Sequence, residues 1–295
     1  MYDIKEIYEA MSVAQAVELL SAHPEAKIIA GGSDVLIKIR EGKMAGCELV
    51  SIFGINELKG IKIEADGTIV IGPVTSFSSI TKDSIIQKFI PVLGAAVDQV
   101  GGPQIRNIGT IGGNISNGVT SADSASTLFA LNAKLEITGP SGTRKLPIQD
   151  YYQGPGKVDL KTGELLTAIR IEQSNYEGFG GHYIKYAMRN AMDIATLACV
   201  ATVKLNASKN AIEEMHLALG VAGPIPMRCP ITEEAVKGKK IDAALFDLVG
   251  KTVLTEVNPR TSWRASKEFR LQLVEELSKR ALKQAIIFAG GALHD

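Results

Sequence analysis

Two glycine-rich stretches have the residue types and spacing best suited to ligand chemistry. Residues 101–114 contain five glycines, and Ile105, Ile108 and Ile111 recur among them. Residues 27–34 run from an apolar Lys-Ile-Ile-Ala segment into a Gly-Gly pair. Dense glycine between apolar anchors predicts a backbone held in unusual conformations, with bare N–H groups that can bind phosphate. Either Gly-Gly pair alone is as readily explained by a tight turn, but the two together favour a long ligand gripped at a central diphosphate.

The spacing of the glycines disfavours the two common nucleotide-binding loops. Neither G-x-G-x-x-G after a strand nor G-x-x-x-x-G-K-[ST] occurs, which argues against a Rossmann dinucleotide site and a P-loop. The first stretch nevertheless lies between a predicted strand at residues 27–30 and a predicted short helix at residues 35–40. The N-terminus of a helix that follows a strand is a position where anions bind.

No cluster of metal-binding or nucleophilic residues accompanies these loops. The cysteines and histidines are scattered along the chain: Cys47, Cys199, Cys229, His23, His182, His216 and His294. A zinc site or an iron–sulfur cluster within this chain is therefore not expected. If the protein carries out redox chemistry, its electrons must reside on an organic cofactor or on a partner.

The composition is that of an ordinary globular protein. Its 295 residues are enough for roughly two domains, and 45% of them are hydrophobic. Lysine plus arginine balance aspartate plus glutamate at 32 each, so no net charge attracts nucleic acid or an anionic membrane. There is no run of about eighteen apolar residues, so no membrane insertion is expected. Acidic residues within the first ten argue against a secretory signal, and we expect a cytoplasmic protein.

Hydrophobic periodicity predicts an α+β chain. A capping box at residues 12–15 begins a helix, and strands at 27–30 and 48–52 flank the helix at 35–40 in a β-α-β-like unit. The further elements predicted before a boundary at 174–181 are a hairpin at 61–71, helices at 77–89, 91–100 and about 120–131, a long loop at 101–114, and strands at 134–138, 143–146 and 164–171. Beyond the boundary we expect strands at 182–188, 196–205 and 212–221 and helices at 242–256 and 266–289.

Six motifs follow one another along nearly the whole chain. They are Ala-Gly-Gly-Ser-Asp at 30–34, Asn-Ile-Gly-Thr-Ile-Gly-Gly-Asn at 107–114, Ser-Ala-Asp at 121–123, Glu-Leu-Leu at 164–166, Lys-Tyr-Ala-Met-Arg-Asn-Ala-Met-Asp-Ile-Ala at 185–195 and Ser-Trp-Arg-Ala-Ser-Lys at 262–267. This series resembles the FAD-binding (medium) subunits of the molybdenum hydroxylases. That family includes the carbon monoxide dehydrogenase flavoprotein subunit, and the resemblance is strongest to the separate FAD subunits of bacterial xanthine or purine dehydrogenases.

The resemblance implies a fold and a division into domains. An FAD-binding domain of the vanillyl-alcohol-oxidase or PCMH type would occupy residues 1–175, with subdomains of about 1–57 and 58–175. A smaller α+β domain like the carbon monoxide dehydrogenase flavoprotein C-terminal domain would follow at 176–295, built on a three-stranded antiparallel sheet with helices.

The resemblance also implies which residues contact FAD, while no catalytic or metal-binding residue is predicted. The cofactor-binding positions are Lys27, Ile28, Ile29, Ala30, Gly31, Gly32, Ser33, Asp34, Val100, Gly101, Thr110, Gly113, Asn114, Asp123, Leu166 and Lys185. The first loop would meet the pyrophosphate through its N–H groups, and Gly113 is expected at positive φ facing phosphate. Val100 and Gly101 would lie near the adenine.

Several polar and aromatic residues can also be accounted for without a ligand. An acid such as Asp123 is favoured in the first turn of a helix whether or not a ligand binds there. Lys185 lies among apolar neighbours and could extend to the surface instead. Arg106 could be a solvated loop charge, His182 is expected to be structural, and Trp263 is expected to anchor a core or an interface.

The resemblance implies an electron-transfer function. A large molybdopterin subunit would hydroxylate a substrate, a purine in the most similar relatives, and a small subunit would pass electrons from [2Fe–2S] clusters to the FAD of this chain. The reduced FAD would then pass its electrons to NAD⁺. Because the cofactor would carry the chemistry, this function accounts for the lack of an acid–base pair or a nucleophile in the chain. Two alternatives remain: a stand-alone flavin reductase or oxidase of the same fold, and a flavin-free scaffold subunit.

Overall fold

The structure is a computed structural model that describes residues 2–293. His294 and the predicted domain ends Met1 and Asp295 lie outside this range. The strands are β1 Ile4–Glu9, β2 Lys27–Ile29, β3 Cys47–Ser51, β4 Ile61–Ile63, β5 Ile69–Ile71, β6 Lys134–Gly139, β7 Gly142–Pro147, β8 Tyr152–Gly154, β9 Lys157–Val158, β10 Leu165–Ile171, β11 Phe179–Tyr186, β12 Leu197–Leu205, β13 Ile212–Gly220 and β14 Met227–Arg228. The α-helices are α1 Val13–Ala22, α2 Val35–Arg40, α3 Phe77–Lys82, α4 Ser84–Phe89, α5 Pro91–Val97, α6 Pro103–Ile108, α7 Ile111–Ser116, α8 Asp123–Ala130, α9 Ile148–Tyr151, α10 Pro230–Val236, α11 Ala243–Val253 and α12 Lys267–Phe288.

The first layer is a small parallel sheet with strand order β1-β3-β2. The predicted capping box begins α1, because Ser12 Oγ accepts from the N–H of Gln15 at 3.2 Å and Gln15 Oε1 accepts from the N–H of Met11 at 2.8 Å. Strands β2 and β3 and helix α2 lie where the sequence predicts them. Strand β1 was not predicted.

The second layer is an antiparallel sheet with strand order β4-β5-β10-β6-β7, next to helices α3 to α8. The hairpin of β4 and β5 was predicted. The single helix predicted at 77–89 is in fact two helices, because Asp83 has extended backbone and its Oδ1 accepts from the N–H groups of Ile85 and Ile86. An aspartate that caps a new helix N-terminus ends the helix before it.

The prediction of a long loop at 101–114 is also wrong, since most of this stretch is helical. Gly102 precedes Pro103 at the first position of α6, and Thr110 caps α7 by accepting from the N–H of Gly113 at 3.2 Å. Its isoleucines are not uniformly buried anchors: Ile111 is fully buried, but Ile108 is 40% exposed.

The third layer is an antiparallel sheet with strand order β11-β12-β13-β14. The predicted three strands are present, and a fourth of two residues, β14, extends the edge. Helices α10 and α12 contact this sheet, α11 packs against both of these helices, and α5 and α8 of the preceding layer contact the sheet too. Strand β12 is consequently buried along its whole length except at Lys204, as is usual for a strand covered on both faces. Among residues 2–293, no helix is long and apolar enough to cross a membrane.

Candidate cofactor-binding site

A cavity of about 930 Å³ lies where the parallel sheet faces the helices and strands of the second layer. Its wall is formed by the loop after β2, by α2, by the first turn of α7, by residues 160–166 and by residues 192–194. This volume is at the upper end of the range of about 300–1,000 Å³ found for small-molecule sites. The cavity therefore has room for a large organic ligand.

The loop after β2 presents unused backbone donors to this cavity. Gly32 has a φ of +73°, which turns the chain from the strand into α2. Among residues 2–293, none accepts a hydrogen bond from the N–H groups of Gly31, Gly32, Ser33 or Asp34. Consecutive free N–H groups between a strand end and a helix start form the arrangement that binds phosphate.

Gly31 serves a further purpose that the sequence did not indicate. A Cβ atom at this position would lie 1.9 Å from the carbonyl oxygen of Ile108. The lack of a side chain thus lets the two glycine-rich stretches touch backbone to backbone. Gly112 has a similar role, since its Cβ would lie 2.4 Å from the side chain of Pro73.

The second stretch does not offer the expected row of free N–H groups. The N–H of Ile111 donates to Thr75 O, and that of Gly112 donates to Pro73 O. Those of Gly113 and Asn114 donate to Thr110 Oγ1 and Thr110 O. Gly113 lies inside α7 and is not among the glycines with positive φ, so the prediction for its backbone was wrong.

The glycines of this stretch line the cavity, but the hydrogen-bond donors that it presents there are on side chains. Thr110 Oγ1 accepts from Gly113 and keeps its own hydrogen to donate. Asn114 Oδ1 accepts from Ser124 Oγ at 2.7 Å, which fixes the amide and leaves its NH₂ group to donate. Both residues line the cavity.

A buried triad stands at the wall near the start of α8. Lys185 Nζ lies 2.8 Å from Asp123 Oδ2 and donates to Gln99 O at 2.9 Å, while Tyr183 OH donates to Asp123 Oδ1 at 2.7 Å. The Lys185 side chain is 7% exposed, so it does not extend to the surface. Burial raises the pKa of the Asp123 carboxyl, and the Lys185 ammonium and the Tyr183 hydroxyl oppose that rise. Because the Lys185 ammonium balances the Asp123 carboxylate, both groups can stay charged in the wall while the pair as a whole has no net charge.

The structure brings most of the predicted cofactor residues together. Those that line the cavity are Lys27, Ile28, Ala30, Gly31, Gly32, Ser33, Asp34, Val100, Gly101, Thr110, Gly113, Asn114, Asp123 and Leu166. Ile29 is not on the wall, and its side chain lies close to Gly32. Lys185 stands behind Asp123, on the wall of a smaller neighbouring cavity of about 350 Å³. Arg106 is not a free loop charge, because it donates to Val100 O at 3.2 Å and lies 3.2 Å from Asp98.

Sequence reasoning missed several wall residues. Lys38 on α2 donates to Asn117 Oδ1 at 2.7 Å, which ties α2 to the end of α7. Met192 has a φ of +57° and donates its N–H to Gly101 O at 3.3 Å, beside the cavity. In the sequence, only its polarity marked Lys38 and only its place in the motif at 185–195 marked Met192, so neither residue could be predicted to line the cavity.

The wall at 160–166 is held by an arginine cluster. Arg144 donates two hydrogen bonds to the Glu164 carboxylate, at 2.9 and 2.8 Å, and one to Asp159 Oδ2 at 2.7 Å. The Arg144 guanidinium lowers the pKa of Glu164. Bidentate pairing of this kind fixes the loop geometrically as well as electrostatically.

Two family models cover most of the chain. The model described as "FAD binding domain in molybdopterin dehydrogenase" matches residues 2–173, and "CO dehydrogenase flavoprotein C-terminal domain" matches residues 182–285. The chain belongs to the FAD-binding medium subunits of the molybdenum hydroxylases.

Full-length relatives and solved structures agree with this family. The chain is 42% identical over 293 residues to the xanthine dehydrogenase FAD-binding subunit of Escherichia coli O157:H7, covering 99% of this chain and 100% of that protein. It is 30% identical over 275 residues to the glyceraldehyde dehydrogenase medium chain of Sulfolobus acidocaldarius, covering 93% and 96%. A chain in the structure of carbon monoxide dehydrogenase from Hydrogenophaga pseudoflava matches with a TM-score of 0.91 and 27% identity, covering 97% of this chain and 98% of that one.

As a medium subunit of this family, the chain carries an FAD-binding domain, and its cavity fits that cofactor. The free N–H groups of residues 31–34 suit a diphosphate, and the apolar wall that includes Val100 and Leu166 suits aromatic rings. In residues 2–293 no group of three or more His, Cys, Asp or Glu side chains could hold a metal ion.

Proposed function

We propose that this chain is the FAD-binding electron-transfer subunit of a xanthine or purine dehydrogenase. In this proposal, electrons from [2Fe–2S] clusters of a partner subunit pass through the FAD of this chain to NAD⁺. The observation that carries the proposal is the loop of free N–H groups at the cavity, in a chain that matches a xanthine dehydrogenase FAD subunit end to end. We also retain the cytoplasm as its predicted location.

The chain's own residues would bind and orient the cofactor. The N–H groups of residues 31–34 would donate to the diphosphate, and Thr110 and Asn114 would donate from the opposite wall. Asp123, held by Lys185 and Tyr183, would accept from a cofactor hydroxyl or N–H group. Bound FAD supplies one-electron and hydride chemistry that no side chain of the protein can supply.

Two of the carboxylates of the cavity wall, Asp123 and Glu164, support a subunit that does not act on a substrate by itself. Asp123 is paired with Lys185, and Glu164 is paired with Arg144, so neither is poised as a free general acid or base. We therefore place substrate oxidation on a large molybdopterin-binding partner and the [2Fe–2S] clusters on a small one. The family's FAD-binding domain disfavours a flavin-free scaffold, and the full-length match to medium subunits disfavours a stand-alone flavoenzyme.

Affinity purification of the tagged chain from its native cells, with an absorption spectrum and metal analysis, tests this proposal. We expect a yellow-brown complex that contains FAD, iron and molybdenum and reduces NAD⁺ when a purine such as xanthine is added. A yellow chain that purifies alone would contradict the complex. An intact complex that reduces another acceptor would contradict only the assignment of NAD⁺, and one that oxidises another substrate would contradict only the assignment of a purine.

A further inference from the structure

A surface of exposed aromatic and cationic side chains lies where the start of α12 meets the end of β11. Trp263 is 77% exposed, and Phe269 and Tyr186 are each 39% exposed. The rings of Phe269 and Tyr186 meet edge to face with centroids 5.8 Å apart, and the Arg264 guanidinium lies 4.2 Å from the centre of the Trp263 ring. We refer to these four residues, with Arg260, as the Trp263 surface.

The segment that carries this surface is strongly cationic. Residues 258–270 contain Arg260, Arg264, Lys267 and Arg270, against a single carboxylate at Glu268. Among residues 2–293, none of the four cations lies within 4.0 Å of a carboxylate oxygen. This contrasts with the cavity wall, where the basic side chains of Arg144 and Lys185 are paired with acids.

One of these cations is buried beneath the surface and links it to the segment that follows residues 192–194. Arg270 is 2% exposed and donates to Thr196 O at 3.1 Å, to Ser262 Oγ at 2.9 Å and to Arg260 O. Burial, together with the charges of Arg260 and Arg264, lowers the pKa of Arg270. Thr196 follows residues 192–194, which line the cavity, so the surface lies close to the cofactor site.

A second cation lacks a hydrogen-bond acceptor. Arg264 Nε is buried and has no partner within residues 2–293. A buried N–H group without an acceptor is costly, and most such groups in folded proteins are satisfied. The Arg264 side chain as a whole is partly exposed, so a carboxylate from outside this chain can meet its guanidinium without reaching Nε and neutralise part of the cationic segment.

We propose that the Trp263 surface binds an acidic segment of a partner polypeptide, with a carboxylate that meets Arg264 and an apolar side chain that covers Trp263. This inference rests on the proposed function, because the partner is another subunit of that complex. Exposed tryptophan and arginine are the residue types that dominate binding energy at protein interfaces. Docking here places the partner beside the loop at 187–195, next to the FAD cavity.

Two other occupants fit the surface less well. A second copy bound across a twofold axis would bring the arginines of both chains together, and like charges at an interface are unfavourable. A small anion such as phosphate would pair with Arg264 but would leave the large apolar faces of Trp263 and Phe269 in water. An acidic polypeptide covers both the charge and the apolar area.

The test compares two variants of this surface with two matched controls in the tagged complex purified from cells. We expect Arg264→Glu and Trp263→Ala each to weaken assembly with the partner subunits by at least about tenfold, measured by titration of the FAD-loaded chain. Higher salt should weaken assembly of the wild type but have less effect on assembly of Arg264→Glu.

The controls are Ile231→Ala on α10 and Lys239→Glu just after it, both at exposed positions, and both should assemble like the wild type. FAD absorbance per chain should be unchanged in all four variants, which separates docking from cofactor binding.

A photo-crosslinking amino acid at position 263 identifies the occupant. We expect a crosslink to an Asp- or Glu-rich peptide of a partner subunit. A complex that both surface variants leave intact would overturn the inference and leave the proposed function standing, as would a crosslink to a second copy. Phosphate binding that depends on Arg264, with assembly unaffected, would also overturn it. A wild-type chain that forms no complex would overturn both.

Discussion

Gly31 lies where the backbone of the first glycine-rich stretch passes the carbonyl group of Ile108. Its neighbours provide the free N–H groups, while Gly31 itself makes the close contact between the two stretches possible. A glycine of this kind is required by the space around it, whatever its own φ. The same stretch of sequence therefore combines a packing requirement with a binding requirement, and the two can be separated by mutation.

Gly31→Ala should weaken FAD binding more than Gly113→Ala. The alanine Cβ at position 31 would overlap backbone that cannot rotate away, which costs roughly 1–3 kcal/mol and about a tenfold to hundredfold loss of FAD affinity. At position 113 the Cβ would lie 2.9 Å from Thr110 Oγ1, so the side chain that caps α7 would have to shift, but alanine would favour the helix by about 1 kcal/mol and offset part of that cost. FAD titration of both variants checks the order. Gly54→Ala, whose Cβ would lie 4.0 Å from its nearest neighbours, is the control; equal affinities for the first two variants would contradict the packing argument.

Lys185→Met should destabilise the protein strongly. It would leave the Asp123 carboxylate buried without its cation, and removing one partner of a buried pair costs about 3–5 kcal/mol. The loss should shrink at acidic pH, because a protonated Asp123 needs no counter-charge and its pKa is already raised by burial. Urea unfolding at two pH values measures this.

The matched controls for that experiment are present in the chain. Lys204→Met removes a cation from an exposed pair with Glu213 and should cost at most about 1 kcal/mol. The double variant Lys185→Met with Asp123→Asn should recover part of the stability, because no buried charge remains. A double variant no more stable than Lys185→Met would show that packing of the lysine stem, and not its charge, is what matters.

At the scale of elements, the wall at 160–166 depends on the ion pairs that Arg144 makes from strand β7. Glu164→Gln should lower stability at pH 7 and reduce its dependence on pH. The pKa of Glu164 is lowered in the folded state, so its stabilisation is complete above the unfolded value of about 4.3 and is lost as the pH falls through the lowered value. Wild type and variant should therefore converge once the pH falls below the lowered pKa of Glu164. Urea midpoints from pH 7 to pH 3 check this.

A control at an exposed pair tests whether the effect is specific to the partly buried arginine cluster. Glu276→Gln removes a carboxylate that pairs with Arg280 one turn further along α12, with both side chains more than half exposed. Its pH profile should match that of the wild type. If Glu164→Gln also matches the wild type, Arg144 does not hold this wall by charge.

Elements with strong local patterns could be predicted from the sequence, while those fixed by distant contacts could not. Helix α1 has a capping box and an apolar stripe, and both are local. Strand β1 is mostly exposed, does not alternate cleanly between polar and apolar residues, and pairs with β3, about forty residues away, so its own residues contain little indication of a strand. The helix α7 contains two glycines, yet Pro73 O and Thr75 O accept from its first turn and stabilise it.

The candidate site likewise has parts that could be predicted from the sequence and parts that could not. The first loop was predictable because glycines between a strand and a helix are a local signal. The backbone of the second stretch was not, because the N–H groups of Ile111 and Gly112 are occupied by Thr75 O and Pro73 O, which are distant in sequence. The role of Lys185 could not be decided from sequence either, since it depends on Asp123 and Gln99 of other layers.

At the scale of the whole molecule, one hydrophobic core extends across the predicted domain boundary near residue 175. Tyr183 and Val200 of the third layer belong to the same cluster of buried residues as Phe129 and Ile169 of the second. Two polar contacts reinforce this junction, as Arg228 donates to Asn132 Oδ1 at 2.5 Å and His216 Nδ1 lies 2.7 Å from Ala130 O.

This shared core predicts that the chain unfolds in a single cooperative transition. Val200 and Val203 lie three residues apart on β12, both fully buried, but Val200 belongs to the shared core and Val203 to the core under α12. Either valine changed to alanine should cost about 1–3 kcal/mol and lower the midpoint of the same transition by a similar amount. Differential scanning calorimetry of the apoprotein, with a comparison of calorimetric and van't Hoff enthalpies, measures this. If two transitions appear and Val203→Ala moves only one of them, the third layer unfolds on its own and the shared core does not couple the two parts.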